Sequence, residues 1–443
     1  LAIALARLKD ISPARRSAFD ILRQVDKGAF SSVLLASDDL KLQPLDRSLC
    51  HELVLGVLRW QLYLDRIIEH LSNRQVDDLD LGVRLALRLG LYQLRFLNRI
   101  PVSAAVNESV SLVRAAKLSS ATSFVNAILR RAIRESHYDP ASTIEDPAEK
   151  IAVQTSHPRW LIERWIESFG PATADSFARA NNQQPPTAFR VVARQATEAD
   201  VISRLTAAGA KLAQSSIAPG AWRINGATAL LRELATSGQI YIQDEASQLV
   251  AQSLNVQTGQ RVLDLCAAPG GKTTLIADRV NDDATIIAND YSPVRLETLG
   301  RSIAKQQLRS IQLMVVDAGS ELPFPPDSFD RVLVDAPCSG TGTLRHNPEI
   351  RWRLTPADIE ELAQQQQKFL RNVANVVRPG GRLLYSTCSV ETEENEDVVR
   401  AFLEDDRRFV PAPVSSDGAT TLRTWPQTEG CDGFFMAAFE RSR

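Results

Sequence analysis

The stretch RVLDLCAAPGGKTT, residues 261–274, decides the fold. Val262, Leu263 and Leu265 form a short apolar run suited to a buried parallel strand, with Asp264 inside it. Ala267-Ala268-Pro269-Gly270-Gly271 follows at once, and a helical pattern begins at Leu275, Ile276 and Ala277. Strand, small-residue turn and helix form the ligand end of an open α/β sheet. The two glycines remove side chains where a ligand approaches the backbone, and the helix start offers unpaired N–H groups. Two phosphate-binding readings fail. A P-loop needs glycine five residues before Gly271, where Cys266 stands, and the dinucleotide pattern G-x-G-x-x-G is absent. Alone, the stretch could equally be a tight turn that only shapes the fold.

Working outward, apolar strands recur at Thr285 to Ala288, Gln312 to Val316, Arg331 to Val334 and Arg382 to Tyr385, with helical segments between them. With the strand before the glycine loop they make five parallel strands, a Rossmann-like doubly wound α/β sheet expected over residues 239–443. Gln239 to Asp244 alternates as a strand, and Glu245 to Leu254 reads as a helix leading to the loop. Residues 150–238 mix helix and short strands (Thr187 to Val192, and near Ala221 to Ile224), as in a small α+β module. Its polar run Asn181 to Gln184 is either a plain turn or a substrate contact.

Residues 1–140 read as entirely helical, a bundle with short connections. Arg15 to Val25 begins one helix. Asp46 to Leu71 carries an apolar stripe at steps of three and four, with Gly56 as its weak point. Leu81 to Phe96, Ala104 to Ala116 and Ser123 to Ile133 supply three more. Arg114, Lys117, Arg130, Arg131 and Arg134 gather near the last helix ends, as solvated faces or as a nucleic-acid patch. Residues 135–149 lose periodicity and read as a linker.

Composition adds bounds. At 443 residues the chain has room for about three domains. A net charge of −2 gives no overall basic field, so any nucleic-acid surface is a local patch. The five cysteines (Cys50, Cys266, Cys338, Cys388, Cys431) are scattered without a C-x-x-C pair. Neither zinc nor a disulfide framework is expected, and reduced thiols fit a cytoplasmic protein. The opening apolar patch is too short for a signal-peptide core, and no 18-residue apolar span follows. Residue 1 is Leu, so the natural start is expected upstream.

Ligands of such sheets bind at the C-terminal strand ends. Asp290 ends the second strand, where an acid can accept from both ribose hydroxyls, and Asp317 ends the third, placed for a purine amine. With the glycine loop they define a nucleoside pocket that, lacking a phosphate loop, suits S-adenosylmethionine. Asp264 then supports the loop, and Lys272 closes the pocket or pairs with a carboxylate. Asp335-Ala336-Pro337-Cys338 ends the fourth strand and Thr387-Cys388 the fifth. Two thiols past adjacent strands suit methylation of C5 of a pyrimidine. A thiolate adds to C6, an acid (Asp335, if burial raises its pKa) meets N3, and a second thiol or a water removes the C5 proton. Spacing alone leaves open which thiol attacks.

Cys266 to Lys272 (CAAPGGK), Asp335 to Gly340 (DAPCSG) and Tyr385 to Ser389 (YSTCS), in this order with Asp290 and Asp317 between them, resemble the signature of RNA cytosine-5 methyltransferases. The helical start and Asp432-Gly433-Phe434-Phe435-Met436 extend the likeness over nearly the whole chain. It is nearest to the bacterial enzymes that act on 16S ribosomal RNA, whose helical N-terminal domain resembles an antitermination-factor RNA-binding fold. The resemblance implies Cys388 as nucleophile, Cys338 in product release and Asp335 against the base. It implies cofactor binding by Cys266, Ala267, Ala268, Pro269, Gly270, Gly271, Lys272, Asp290, Asp317 and Asp335, with Arg295 ordering the acids. The implied partner is 16S rRNA, naked or in an assembling small subunit; a monomer without metal is expected. A tRNA substrate is the nearest alternative, and a non-catalytic RNA-binding assembly factor the alternative of another class.

Overall fold

Pro13 and Pro44 each stand in the first turn of a helix, where the missing proline N–H was without a partner in any case. The computed structural model describes residues 11–38 and 41–443. The opening apolar patch at residues 1–8 lies outside the described residues. Contacts divide the chain into two units. One comprises the chain up to Gln183 together with Leu344–Arg353; the other is Gln184–Thr343 with Leu354–Arg443.

The first unit is helical: α1 (Pro13–Val25), α2 (Ser31–Asp38), α3 (Pro44–Arg59), α4 (Gln61–Ser72), α5 (Leu81–Phe96), α6 (Val102–Ala115), α7 (Thr122–Arg134), α8 (Pro147–Thr155), α9 (Arg159–Phe169) and α10 (Pro171–Ala180). One core runs through Phe19, Leu53, Val57, Leu64, Leu89, Leu112 and Leu129. Each such side chain contributes about 1.5–3 kcal/mol by leaving water. The stripe expected as one helix from Asp46 to Leu71 breaks at Trp60 rather than at Gly56. Gly56 lies against the Tyr92 ring, where a Cβ would collide, so this glycine serves close helix packing. Trp60 leaves helical geometry (φ −103°, ψ 19°) and stacks on Phe96 at 4.8 Å. Helix α2 went unread, because SSVLLASD has no 3.6-residue stripe. Helices α8–α10, read with the small α+β module, cluster with the helical unit. Asn182 is tied within it: its Nδ2 donates to the Thr155 carbonyl at 2.5 Å and its Oδ1 accepts from Arg351 at 2.9 Å.

The second unit opens with β1 (Thr187–Val191), α11 (Glu198–Ala207), β2 (Lys211–Gln214), β3 (Ala221–Asn225), α12 (Thr228–Ser237) and β4 (Ile240–Ile242). These form a βαββαβ module with an antiparallel sheet in the order β2-β3-β1-β4. Strand β4, expected to open the large-sheet domain, pairs instead with β1, Phe189 opposite Ile242.

There follow α13 (Glu245–Ser253), β5 (Arg261–Asp264), α14 (Gly271–Arg279), β6 (Thr285–Asn289), α15 (Pro293–Gln306), β7 (Ile311–Met314), β8 (Phe329–Asp335), α16 (Pro356–Ala374), β9 (Val377–Thr387), α17 (Glu396–Asp405), β10 (Phe409–Ala412), β11 (Thr421–Arg423) and β12 (Phe435–Arg441). The eight-stranded sheet runs β10-β12-β9-β8-β5-β6-β7, with β11 also on β12. The five expected strands, β5 to β9, are parallel; β12 pairs antiparallel with β9, and β10 and β11 pair antiparallel with β12. The doubly wound sheet is therefore as expected, widened by an antiparallel edge that the sequence reading did not resolve. From β5 the chain goes to β6 on one side while β8 pairs on the other, which puts the switch point at the glycine loop. No helix among the described residues is long and apolar enough to cross a membrane.

Candidate active site

Strand β5 ends at Asp264, and its continuation is held on both sides. Leu265 N–H donates to Leu333 O (2.9 Å) and Ala267 N–H to Asn289 O (2.7 Å). Gly270 caps α14 with φ +107°, and a Cβ there would overlap Leu299. Only glycine lets the chain turn so tightly into the helix. Asp264 is buried; Thr273 Oγ1 donates to its Oδ2 at 2.7 Å. Burial, only partly offset by the Thr273 bond, pushes its pKa up to about 7. This acid braces the loop.

Asp290, just past β6, is also buried. Its Oδ2 accepts from Ala268 N–H (3.3 Å) and its Oδ1 from Ser292 N–H (3.0 Å). Arg295 Nη1 lies 3.4 Å from Oδ2, and its Nη2 donates to the Ala268 carbonyl at 2.6 Å. Arg295 thus ties the acid to the glycine loop. Asn289 bridges three strand ends, donating to Leu265 O (2.9 Å) and Val316 O (3.0 Å) and accepting from Val316 N–H (2.9 Å). Asp317 is exposed past β7 and accepts from Gly319 N–H at 2.8 Å.

A cluster of two thiols, a carboxylate and an ammonium group stands past β8 and β9, paired so that Asp335 lies opposite Ser386. Lys272 Nζ sits 2.7 Å from Asp335 Oδ2, and Ser386 Oγ donates to Oδ1 at 2.8 Å. Burial opposes the Lys272 charge, but Asp335 and its neighbours outweigh it and raise the pKa. The feature found at Asp335 is this ion pair. Cys338 Sγ and Cys388 Sγ are 3.3 Å apart, and both residues are part-exposed. The Cys338 thiol is pushed well up, first by its hydrogen bond with Cys388 and then by burial. Cys266 is also pushed up, chiefly by burial, whereas Cys50 and Cys431 lie in cores.

Residues 251–440 match the family described as 16S rRNA methyltransferase RsmB/F. Residues 12–134 match the NusB family and 157–230 the RsmF/B-like ferredoxin-like domain. The chain is 36% identical to the probable ribosomal RNA small subunit methyltransferase B of Synechocystis, over 97% of this chain and 99% of that one. It is 35% identical to the ribosomal RNA small subunit methyltransferase B of Pseudomonas putida, over 93% and 94%. The chain belongs to the ribosomal RNA small subunit methyltransferase B family. Among solved structures, that of PH0851 superposes with TM-score 0.84 at 27% identity, covering 97% of this chain and 98% of that one. A methyltransferase homologue from Pyrococcus horikoshii gives 0.57 at 25% identity, over 67% and 100%.

In this family member two further residues hold the thiol loops, and the sequence reading gave neither a role. Glu394, fully buried, accepts from Ser339 N–H (2.8 Å), Ser339 Oγ (2.5 Å), Ser389 Oγ (2.5 Å) and Gln366 Nε2 (3.0 Å). It ties the Cys338 loop to the Cys388 loop. Gly342 N–H donates to the Cys388 carbonyl (2.9 Å), and Gly433 N–H donates to Gly342 O (2.9 Å). The signal for Glu394 was an acidic run, Glu391 to Asp397, directly after the thiol motif. The signal for Gly342 was a second glycine two residues past Gly340.

Proposed function

We propose that this methyltransferase modifies C5 of a cytosine in 16S rRNA through a covalent bond between Cys388 and C6. The observation that carries the reading is the pair of thiols 3.3 Å apart at the strand ends that also present the Asp335–Lys272 pair. S-adenosylmethionine is the cofactor, and when bound it supplies the methyl group. The site fits such a group: α14 begins at two glycines, and the buried Asp290 carboxylate beside it is fixed by Arg295. Asp317 stands further out, where it can accept from a base amine.

Cys388 adds to C6, and Asp335 meets N3, with Lys272 as the proton-bearing neighbour. Cys338 acts in the second half. What raises its pKa first is the hydrogen bond with Cys388, and the charge of Cys388 adds to this. Both causes vanish once Cys388 is bound to C6. Cys338 then gives its proton to solvent more readily and can take the C5 proton, after which the Cys388 thiolate leaves. The helical region to about residue 140 and the βαββαβ module hold the RNA in register, and the protein works in the cytoplasm.

The test incubates wild type, Cys388→Ala and Cys338→Ala with S-adenosylmethionine and 16S rRNA, small subunits or tRNA, following methyl incorporation and denaturing gels. Cys388→Ala is expected to abolish methylation and adduct, and Cys338→Ala to accumulate a slow-migrating protein–RNA adduct. The reverse pattern would move the nucleophile to Cys338; methylation of tRNA alone would refute the rRNA assignment.

A further inference from the structure

We propose that Cys388 and Cys338 form a peroxide-sensitive pair, in which oxidation of Cys388 is captured by Cys338 as a reversible intramolecular disulfide that switches the site off. The chemistry of methyl transfer does not need the two sulfurs in mutual contact, only each within reach of the base. In the structure they touch, and three links between the loops keep them there: Ala336 N–H to Ser386 O (2.8 Å), Gly342 N–H to Cys388 O (2.9 Å), and Glu394 accepting from the hydroxyls of both Ser339 and Ser389. From that contact, small side-chain rotations suffice for bond formation.

The steps balance. A Cys388 thiolate attacks hydrogen peroxide; the O–O bond breaks, one oxygen stays on sulfur as sulfenic acid, and the other leaves as hydroxide, taking a proton to become water. Sulfur is oxidised by two electrons and peroxide is reduced. Cys338 sulfur then attacks Cys388 sulfur, the S–O bond breaks, and the departing hydroxide takes the Cys338 proton to give a second water. The upward push on the Cys338 thiol favours its protonated form, in keeping with Cys388 as the sulfur oxidised first and Cys338 as the resolving one. Cys50 and Cys431 are enclosed in cores, and burial disfavours the Cys266 thiolate. None of the links holding the glycine loop involves either sulfur of the pair, so the oxidised protein retains its cofactor site.

The experiment treats the full chain, free of RNA, with a small excess of hydrogen peroxide, then measures intact mass, free thiols, peptide linkage and S-adenosylmethionine binding. Expected is a mass loss of about 2 Da, two thiols fewer and a Cys338–Cys388 peptide. Cofactor affinity should stay within threefold (about 0.7 kcal/mol), with full recovery in dithiothreitol. Cys338→Ala should instead gain oxygen and pass to the irreversible sulfinic acid, while Cys266→Ser should still form the pair. Oxygen gain without mass loss in wild type, or a disulfide to another cysteine, would overturn the proposal. Mass and linkage do not depend on activity, so they stand apart from the proposed methylation, on which only the accompanying loss of turnover rests.

Discussion

Asp264 has one carboxylate oxygen bonded to Thr273 and the other buried without a hydrogen-bond partner among the described residues. Its pKa, pushed up to about 7 mainly by burial, makes it a stability element with a definite sign. An acid whose folded pKa exceeds its unfolded value favours folding while protonated. That contribution is complete below the unfolded value of about 4 and is lost as pH rises through the folded value. The urea midpoint of wild type should therefore fall from pH 4 toward pH 7 relative to Asp264→Asn, which has no such proton to lose. Parallel curves for the two proteins would show that Asp264 is not the titrating group. Glu394 supports a second prediction at this scale. Glu394→Gln keeps the volume but turns an amide donor toward Ser339 N–H or Gln366 Nε2. It should cost about 1–3 kcal/mol in denaturant unfolding, and reduce kcat far more than it weakens cofactor binding. Equal losses in both would place its role in the fold alone. That Asp335, Cys338 and Cys388 lie together was legible because each stands just past or at the end of one of two neighbouring strands. Glu394 was not, because an acid in the run Glu391 to Asp397 looks solvated until its four donors are in place.

At the scale of elements, the loop after β8, the loop after β9 and the turn before β12 meet at one residue without a side chain. Gly342 lies against Gly433 and the Cys388 carbonyl, and a Cβ there would overlap backbone that cannot swing away. Gly342→Ala should push the Cys388 loop off its position. A shift near 1 Å costs about a hundredfold in rate, whereas the glycine loop and Asp290, on β5 and β6, should keep cofactor affinity nearly unchanged. Single-turnover methylation with calorimetric cofactor titration separates the two; a cofactor loss as large as the rate loss would show general disruption. The parallel strands were readable because buried strands need short apolar runs at βα spacing. Strand β4 was readable as a strand but not in its pairing, since QIYIQD alternates equally well in either sheet. The break at Trp60, which stacks on Phe96, escaped because no local pattern contains that contact.

Over the whole molecule, the segment Leu344–Arg353 belongs with the helical unit, although it follows β8 of the sheet unit in the chain. The partners of its side chains explain why. Glu349 accepts from Ser31 N–H (2.8 Å) and Ser31 Oγ (3.0 Å), and Trp352 Nε1 donates to the Leu58 carbonyl (2.7 Å). Arg351, fully buried, donates to the Ser156 carbonyl (3.1 Å) and Asn182 Oδ1 (2.9 Å), and burial pulls its pKa down to about 9. These partners lie 169 to 318 residues away in sequence, so periodicity and motif could not join them; the same distance hid the reason for α2, whose first residue is Ser31. Such bonds break only when the unit holding them opens. Native-state hydrogen exchange in mild denaturant should therefore show the amides of residues 344–353 following the protection of α3 and α4, not that of β8 and α16 on either side. Arg351→Met, which leaves buried acceptors unpaired, should lower protection across α3, α4 and the segment together, by about 3 kcal/mol. Exchange of the segment with the sheet strands, or a loss confined to residues 350–353, would show that the segment is not part of the helical unit's cooperative fold.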